Sequence, residues 1–141
     1  MGLPGAGKTT LSTALAPRLN AVHFNADEIR QKINKELTFY IPDRVEHAKR
    51  MGILCDIVNR SGHYAIADFV CPLDSTREAF GAKDSFVIWV NRPPVRNFTE
   101  TTAIFKEPKE YHIKVTDEYE LEYWVNRAAD HIRSFDKDYH I

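Results

Sequence analysis

The first ten residues place glycine, lysine and threonine at the spacing of a phosphate-binding loop. Gly2, Gly7, Lys8 and Thr9 satisfy the pattern G-x-x-x-x-G-K-[ST], in which backbone N–H groups surround the phosphates of a nucleotide. Glycine allows the backbone to approach phosphate oxygens closely. We predict that the whole loop contributes to the site: Gly2, Leu3, Pro4, Gly5, Ala6, Gly7, Lys8, Thr9 and Thr10.

Lys8 and Thr9 supply the two side-chain functions that a bound polyphosphate requires. The loop leads into a predicted helix, whose N-terminus presents unpaired N–H groups and the positive end of its dipole to an anion. The Lys8 ammonium adds a full charge near the β and γ phosphates, and the Thr9 hydroxyl is of the type that binds Mg²⁺. An ordinary glycine-rich helix cap does not require all of these residues in register, so we favour the phosphate-binding loop.

Hydrophobic periodicity predicts the elements that position this loop. Alternating strands and helices indicate an α/β domain with a parallel sheet, helices on both faces, and ligands at the carboxyl ends of the strands. We predict helices at 8–19, 26–34, 43–60, 73–81 and 117–135, and strands at 21–24, 63–70, 84–90 and 111–115. Asp43 is the expected cap of the long helix, Asp117 and Glu120 form an expected capping box, and 91–110 is expected to be a loop or short helix.

The position of the loop in the sequence is unusual. A phosphate-binding loop normally follows a buried apolar strand, and only Met1 precedes Gly2 here. We therefore expect a truncated N-terminus and a sheet that lacks its first strand. Such a loss would weaken both stability and nucleotide affinity.

Length and composition limit the classes of function. The chain has 141 residues, which suits one domain, 1–141, with a single core. With 19 basic and 20 acidic residues its net charge is -1, so polynucleotide partners are disfavoured and a small anionic substrate is not. No apolar stretch approaches the roughly 20 residues that span a bilayer. Cys55 and Cys71 indicate reduced thiols and a cytoplasmic location.

Polar residues follow three of the predicted strands. Asn25 and Asp27 follow the first strand, Asp68 lies at the end of the second, and Asn91 and Arg92 follow the third. A carboxylate at such a position can order Mg²⁺ or accept the proton of an acceptor hydroxyl. Asp27 could instead cap the helix that follows, and Asp68 could be a helix cap or the ion-pair partner of an arginine.

Three further segments, together with the loop, resemble the adenylylsulfate kinases. The segments are NADEIR at 25–30, LTFYIPDRVEHAKR at 37–50 and DFVCP at 68–72. The family has D-G-D-x-x-R, L-G-F-S-x-x-D-R-x-E-N-x-R-R and S-F-I-S-P at the corresponding places. The D-R-x-E element is the most discriminating, because phosphate-binding loops occur in many unrelated enzymes.

The resemblance implies a P-loop kinase that uses ATP and Mg²⁺ to phosphorylate a hydroxyl of a nucleotide-like acceptor. Asp27 is implied as the catalytic or metal-ordering acid, beside Lys8, Thr9 and Asp68. The implied acceptor-binding residues are Arg30 and Arg44 on the anionic groups, Phe39 against the base with Phe69 beside it, and His47. For Phe39 and Arg44 two other interpretations remain: a loop anchor in the core, and a salt bridge with Glu46 or Asp43.

Departures from the family pattern concentrate around the site. Asn25 replaces the first acid of D-G-D, His47 replaces the Asn after D-R-x-E, and Cys71 replaces the serine before the proline. The family's R-D-x-K-G-L-Y lid is absent, and Arg92 or Arg96 could supply its charge to ATP. We hypothesise that Asp68, which replaces a serine, compensates for Asn25 by restoring a second acid near the metal.

Three functions remain open at this stage. The leading one is a kinase that acts on adenylylsulfate or a similar small nucleotide. The second keeps the kinase and changes the acceptor to another nucleotide derivative or a polynucleotide end, and the third is a nucleotide-binding module or fragment without turnover. A homodimer is an open expectation for its assembly.

Overall fold

The computed structural model describes residues 1–93 and 99–139. In this part of the chain, helices and short strands alternate as the sequence predicts. The helices are α1 (Lys8–Leu19), α2 (Ala26–Lys32), α3 (Ile41–Arg60), α4 (Asp74–Phe80), α5 (Thr99–Ile104) and α6 (Leu121–Tyr139), and the strands are β1 (Val22–Asn25), β2 (Ala65–Asp68), β3 (Ile88–Val90) and β4 (Ile113–Val115).

The four strands form two separate parallel pairs. β1 pairs with β2, so that Asn25 lies opposite Asp68, and β3 pairs with β4. Between the pairs lies a groove of about 660 Å³ that β2, β3 and the apolar faces of α1 and α6 line. Met1 lies at one end of it, where its backbone hydrogen bonds to Ile88 and Val90 in the manner of a strand residue.

Two hydrophobic clusters hold the layers together. The larger one packs α1 against α6 and the β3–β4 pair through Leu11, Leu15, Val90, Trp124 and Ala128. The smaller one packs α2 and α3 under β1 and β2, with Met51 completely buried at its centre. Since α1 and α2 are each fixed by one cluster, the phosphate-binding loop and the start of α2 have a rigid base.

Two helix starts differ from the predicted ones. Tyr40 rather than Asp43 is the N-cap of α3, and Pro42 occupies the first turn, where its missing N–H costs no hydrogen bond. The Asp43 carboxylate instead accepts from the backbone N–H and the hydroxyl of Thr38. The predicted capping box at 117–120 was also wrong, because residues 117–119 are bends and α6 begins only at Leu121.

The strands are shorter than predicted. β2 covers four residues, and three of these are only half-buried, whereas the apolar run 63–70 predicted a strand covered on both faces. The groove beside β2 explains this exposure, because nothing in the described part of the chain covers that edge. A 3-10 turn at 82–84 occupies the start of the region predicted as the third strand.

Candidate active site

A cleft of about 920 Å³ lies at the carboxyl ends of β1 and β2. It brings together the phosphate-binding loop, the start of α2, the segment after β2 and the start of α3. The sequence-predicted residues that line it are Pro4, Gly5, Gly7, Lys8, Thr9, Thr10, Asp27, Arg30, Phe39, Arg44, His47, Asp68 and Phe69. Asn25, Cys71 and Thr101 also line it.

The phosphate-binding loop has the backbone that the glycine pattern predicts. Gly5 and Gly7 have φ angles of 76° and 102°, in the region that favours glycine. Gly7 is the N-cap of α1, so the first N–H groups of this helix point toward the cleft. Gly2 lies behind the loop, where an added Cβ would collide with the Val90 carbonyl oxygen. The loop is therefore a cradle of amides anchored against β3.

Lys8 folds back over this cradle. Its Nζ donates to the carbonyl oxygen of Leu3 at 2.7 Å, across the loop. Burial lowers the pKa of the Lys8 ammonium, while the nearby carboxylates of Asp68 and Asp27 act in the opposite direction. A partly desolvated ammonium over a ring of amides is suited to bind a polyphosphate, because its charge is little screened by water.

Asp68 is the acid that lies against the loop. Its Oδ2 accepts from the Thr9 hydroxyl at 2.7 Å, from the Asn25 amide at 3.1 Å and from His23 Nε2 at 3.1 Å. The residue is 4% exposed. These bonds exclude the two alternative interpretations, since Asp68 here neither caps a helix nor pairs with an arginine among the contacts of the described residues.

Thr9, Asp68 and Asp27 form a donor set that fits Mg²⁺. Mg²⁺ in phosphoryl-transfer sites is usually held by one or two carboxylates, a hydroxyl and the substrate phosphates, and it keeps several waters. Thr9 and Asp68 already hold their oxygens within hydrogen-bond distance, and Asp27 lines the same cleft. Nowhere in residues 1–93 and 99–139 do three His, Cys, Asp or Glu side chains converge as an all-protein metal cage.

Asn25, and not Asp27, caps α2. The Asn25 Oδ1 accepts from the backbone N–H of Glu28 at 3.0 Å, so the capping role considered for Asp27 is wrong. Asp27 is exposed in the first turn of α2 and faces the cleft. Its carboxylate is therefore available to an acceptor hydroxyl or to a metal-bound water.

Phe39 lies at the far side of the cleft between two arginines. It is 62% exposed, so it does not anchor the loop in the core. The guanidinium carbons of Arg30 and Arg44 lie 4.5 and 5.3 Å from the centre of its ring, a cation–π distance. Arg44 also donates to the Phe39 carbonyl at 2.6 Å, and Arg30 donates to the Thr38 carbonyl at 3.0 Å.

His47 forms the floor of this side of the cleft. It is 3% exposed, and its Nδ1 hydrogen bonds to the Asn34 amide at 2.9 Å. Asn34 in turn accepts from Arg50. Burial, and next the positive charge of Arg30, lower the pKa of His47 to about 4; the Ala26 backbone acts in the opposite direction, and Arg50 adds a smaller lowering effect. The ring is therefore neutral at physiological pH.

α5 and the residues that follow it border the cleft. Arg44 donates to the Thr101 hydroxyl, and the backbone N–H of Lys106 donates to the Pro72 carbonyl. Arg77 donates to the carbonyls of Cys71 and Lys106 and ties the two segments together. Of the two arginines proposed for the lid, Arg92 is absent from the described lining of the cleft, and Arg96 lies outside the described residues.

Sequence reasoning missed two residues of the site. Thr101 had no recognisable signal, because it reaches Arg44 through the fold alone. His23 could have been found, since it lies two residues before Asn25 on a strand and side chains at this spacing share a face.

Comparison with known proteins agrees with this geometry. The profile of the family described as Adenylylsulphate kinase matches residues 1–123. The chain belongs to the adenylylsulfate kinase family. This confirms the prediction of an ATP-dependent phosphotransferase of this kind.

Two relatives match most of this chain. The adenylyl-sulfate kinase of Gloeothece citriformis is 30% identical over an alignment of 131 residues that covers 84% of this chain and 74% of the relative. That of Oceanobacillus iheyensis is 29% identical over an alignment that covers 98% of this chain and 83% of the relative.

Solved structures confirm the P-loop fold of the family. The Mycobacterium tuberculosis APS kinase CysC in complex with AMPPNP and APS has a TM-score of 0.82 and 17% identity, with 94% of each chain covered. The hexameric APS kinase from Thiobacillus denitrificans has a TM-score of 0.73 and 23% identity, over 95% of this chain and 28% of that chain. Within the described residues, no helix is both long and apolar enough to cross a membrane.

Proposed function

We propose that this adenylylsulfate kinase family member transfers the γ phosphate of ATP to a hydroxyl of adenylylsulfate or of a closely similar nucleotide. The observation that carries the proposal is a single cleft lined both by the phosphate-binding loop and by the Arg30–Phe39–Arg44 group, with Asp27 and Asp68 in the same lining. Phosphoryl transfer requires mainly that two anionic substrates be held in line and that their charge be neutralised.

On the donor side, the amides of residues 5–10 and the Lys8 ammonium bind the phosphates of ATP. Thr9 and Asp68 would hold Mg²⁺, which neutralises charge on the β and γ phosphates when it is bound. Lys8 must leave the Leu3 carbonyl to reach a phosphate oxygen, and this exchange replaces a neutral acceptor with a charged one. Asp27 accepts the proton of the acceptor hydroxyl or orders a metal-bound water.

On the acceptor side, Phe39 supplies an aromatic face, and Arg30 and Arg44 supply planar cations suited to sulfate or phosphate. In the structure both arginines bond to the carbonyls of residues 37–39. We propose that an anionic acceptor takes over part of this bonding, since charged acceptors bind guanidinium groups more strongly than carbonyls do. Phe69, which packs on Phe80 at 5.3 Å, supports the floor beside them.

The histidine at position 47 favours an acceptor nucleotide other than adenylylsulfate. The family has an asparagine here, whose amide offers two N–H donors and a carbonyl acceptor, whereas a neutral imidazole offers one donor and one acceptor, and the Nδ1 of His47 is already bonded to Asn34. A second function, nucleotide binding without turnover, is favoured by the groove that divides the sheet beside the loop. The loop is anchored against β3, but the groove separates β3 from the β1–β2 pair that carries the acceptor side, so phosphates could be bound without being held in line with an acceptor.

An ADP-release assay separates these functions. Mg·ATP is supplied alone, with adenylylsulfate, and with a panel of nucleoside diphosphate derivatives and oligonucleotide ends. ADP release that adenylylsulfate stimulates at least about 10-fold supports the proposal, because acceptor-dependent turnover distinguishes a kinase from adventitious hydrolysis. Stimulation by a different acceptor identifies the second enzyme function, and ATP binding without stimulation by any acceptor contradicts kinase activity.

Three expectations extend this proposal. The kinase fold occupies one domain over 1–141, the free and buried Cys55 and Cys71 fit a reducing cytoplasm, and a homodimer remains a prediction for the assembly. Size-exclusion chromatography with light scattering would test the last of these.

A further inference from the structure

His23 reaches Asp68 from the strand behind the phosphate-binding loop. It lies on β1 two residues before Asn25, and side chains at this spacing point to the same face of a strand. Its Nε2 is 3.1 Å from the Asp68 Oδ2, and its side chain is 19% exposed. Because a carboxylate only accepts hydrogen bonds, the Nε2 carries the proton and His23 is the donor.

The three donors around Asp68 are not equivalent. Thr9 donates to Asp68, and the same Thr9 oxygen accepts from Asn25 at 3.1 Å. The Asn25 side chain also caps α2 through Glu28. Both of these donors are therefore shared between Asp68 and a second partner in the cleft. His23 lies on the same strand as Asn25, opposite Ile66, and among the described residues its side chain hydrogen bonds to Asp68 alone.

We infer that His23 is a positioning residue for the magnesium site. Its Nε2–H holds the buried Asp68 carboxylate beside Thr9, so that these oxygens are already arranged when Mg·ATP enters the loop. This inference rests on the proposed function, in which Asp68 and Thr9 hold the metal. His23 itself touches neither nucleotide nor metal.

The reason for this role is the cost of orienting a buried carboxylate. A carboxylate with little solvent needs hydrogen bonds to keep its charge, and partners that orient a metal-binding group typically change metal affinity by about 10- to 100-fold. If His23 only offset the burial of Asp68, its loss would lower stability and leave the effect of Mg²⁺ on nucleotide binding unchanged. The two roles therefore differ in a measurable quantity.

The test is calorimetric titration with a non-hydrolysable ATP analogue, with Mg²⁺ and in EDTA. For each variant, the ratio of the two dissociation constants measures how much Mg²⁺ strengthens binding. His23→Leu removes the donor, His23→Gln retains an N–H near the place of Nε2, and His63→Leu makes the same change at an exposed histidine outside the active-site cleft.

We expect this ratio, the benefit from Mg²⁺, to be about 10-fold smaller in His23→Leu than in the wild type. It should be within about 3-fold of the wild-type value in His23→Gln and unchanged in His63→Leu. Binding in EDTA should be the same in all of these variants. In the Asp68→Asn background, where the acid is already lost, His23→Leu should have no further effect, because coupled residues are not additive.

An unchanged benefit in a folded His23→Leu protein overturns the inference and leaves the kinase proposal intact. A further loss on top of Asp68→Asn also overturns it, because His23 would then act independently of the acid. If the wild type gains nothing from Mg²⁺, the metal role of Asp68 fails and the inference fails with it. Circular dichroism reports folding, and His23→Asn, whose amide is too short to reach Asp68, replaces His23→Leu if that variant is unfolded.

Discussion

Asn25 and Asp68 lie opposite each other in the parallel β1–β2 ladder, with the Asn25 amide 3.1 Å from the Asp68 carboxylate. The family pattern has an acid at the position of Asn25 and a serine at the position of Asp68. This chain has a neutral side chain at the first of these positions and an acid at the second. Since the two side chains touch, the negative charge has moved by one strand and still lies beside Thr9. The hypothesis that Asp68 compensates for Asn25 is therefore sterically sound.

Exchanging the two residues should restore what a single change removes. We predict that Asp68→Ser lowers kcat by about 100-fold, since loss of a metal-binding carboxylate removes charge stabilisation in the transition state. The double variant Asn25→Asp with Asp68→Ser should recover at least about 10-fold of this loss. The measurement is steady-state ADP release as a function of Mg²⁺ concentration. Compensation is refuted if Asp68→Ser keeps wild-type turnover and metal dependence, or if the double variant is no better than the single one.

Lys8 should be essential for binding the γ phosphate. We expect Lys8→Ala to lower kcat/KM by at least about 100-fold, because it removes the full positive charge from a partly desolvated loop. Lys32→Ala is the matched control, as this exposed lysine pairs with Glu28 on α2 alone among the described residues, and it should change kcat/KM less than about 2-fold. Equal effects in the two variants would show that the loop does not use Lys8 in catalysis.

Phe39 should affect the acceptor and not ATP. We predict that Phe39→Ala raises the KM for the acceptor by about 10-fold, the value of one base-stacking contact, and leaves the KM for ATP within about 2-fold. Tyr40→Ala is the control, since Tyr40 is the adjacent aromatic residue and is 79% exposed. A rise of the ATP KM in Phe39→Ala, or the same rise of the acceptor KM in Tyr40→Ala, would argue against the stacking role.

His47 should make the protein sensitive to mild acid. Burial and the charges of Arg30 and Arg50 lower its pKa from 6.5 to about 4 in the folded protein. The unfolded chain therefore takes up a proton at higher pH than the folded one, so the stability present above pH 6.5 is lost as the pH falls toward 4. The loss should amount to about 3 kcal/mol.

The measurement is urea unfolding at several pH values between 7 and 4. His47→Asn, which introduces the residue of the family pattern, should remove this component of the pH dependence while the remaining carboxylates titrate as before. The wild type and the variant would show parallel curves if His47 made no contribution. The same variant, assayed with adenylylsulfate, shows whether position 47 selects the acceptor.

Gly52 should be required for the packing of α3 on α4. An added Cβ at this position would collide with the Phe80 carbonyl oxygen. Overpacking costs about 1–3 kcal/mol, and the better helix propensity of alanine returns up to about 1 kcal/mol. We therefore expect Gly52→Ala to destabilise the protein by about 1–2 kcal/mol in denaturant unfolding. Asp56→Ala, at an exposed position on the same helix, should change stability by less than about 0.5 kcal/mol, and a similar result for Gly52→Ala would contradict the close contact.

The sequence predicted the parts of the site that short-range spacing determines. The loop from Gly2 to Thr10, the helix after it and the strand-end positions of Asn25 and Asp68 all have a local signature, and they lie where it indicated. The cleft residues 39, 44 and 47 could be expected only from the resemblance, because nothing local distinguishes a binding arginine from a surface one.

The errors share a physical cause, which is that tertiary context overrides a local motif. Asp43 has the composition of an N-cap, but Thr38 engages its carboxylate and α3 starts earlier, with Pro42 in its first turn. The apolar run 63–70 suggests burial on both faces, but the edge of β2 faces a groove. His23 carries no motif of its own, and its contact with Asp68 depends on the β1–β2 register.

Transfer of the terminal phosphate is the most direct test of the account. ATP labelled at the γ phosphate is incubated with the protein, Mg²⁺ and adenylylsulfate, and the products are separated by chromatography. We predict that label appears on the nucleotide acceptor in the wild type and is absent in Lys8→Ala. Label that stays on ATP, or that appears only as inorganic phosphate in the presence of every nucleotide acceptor, would contradict it.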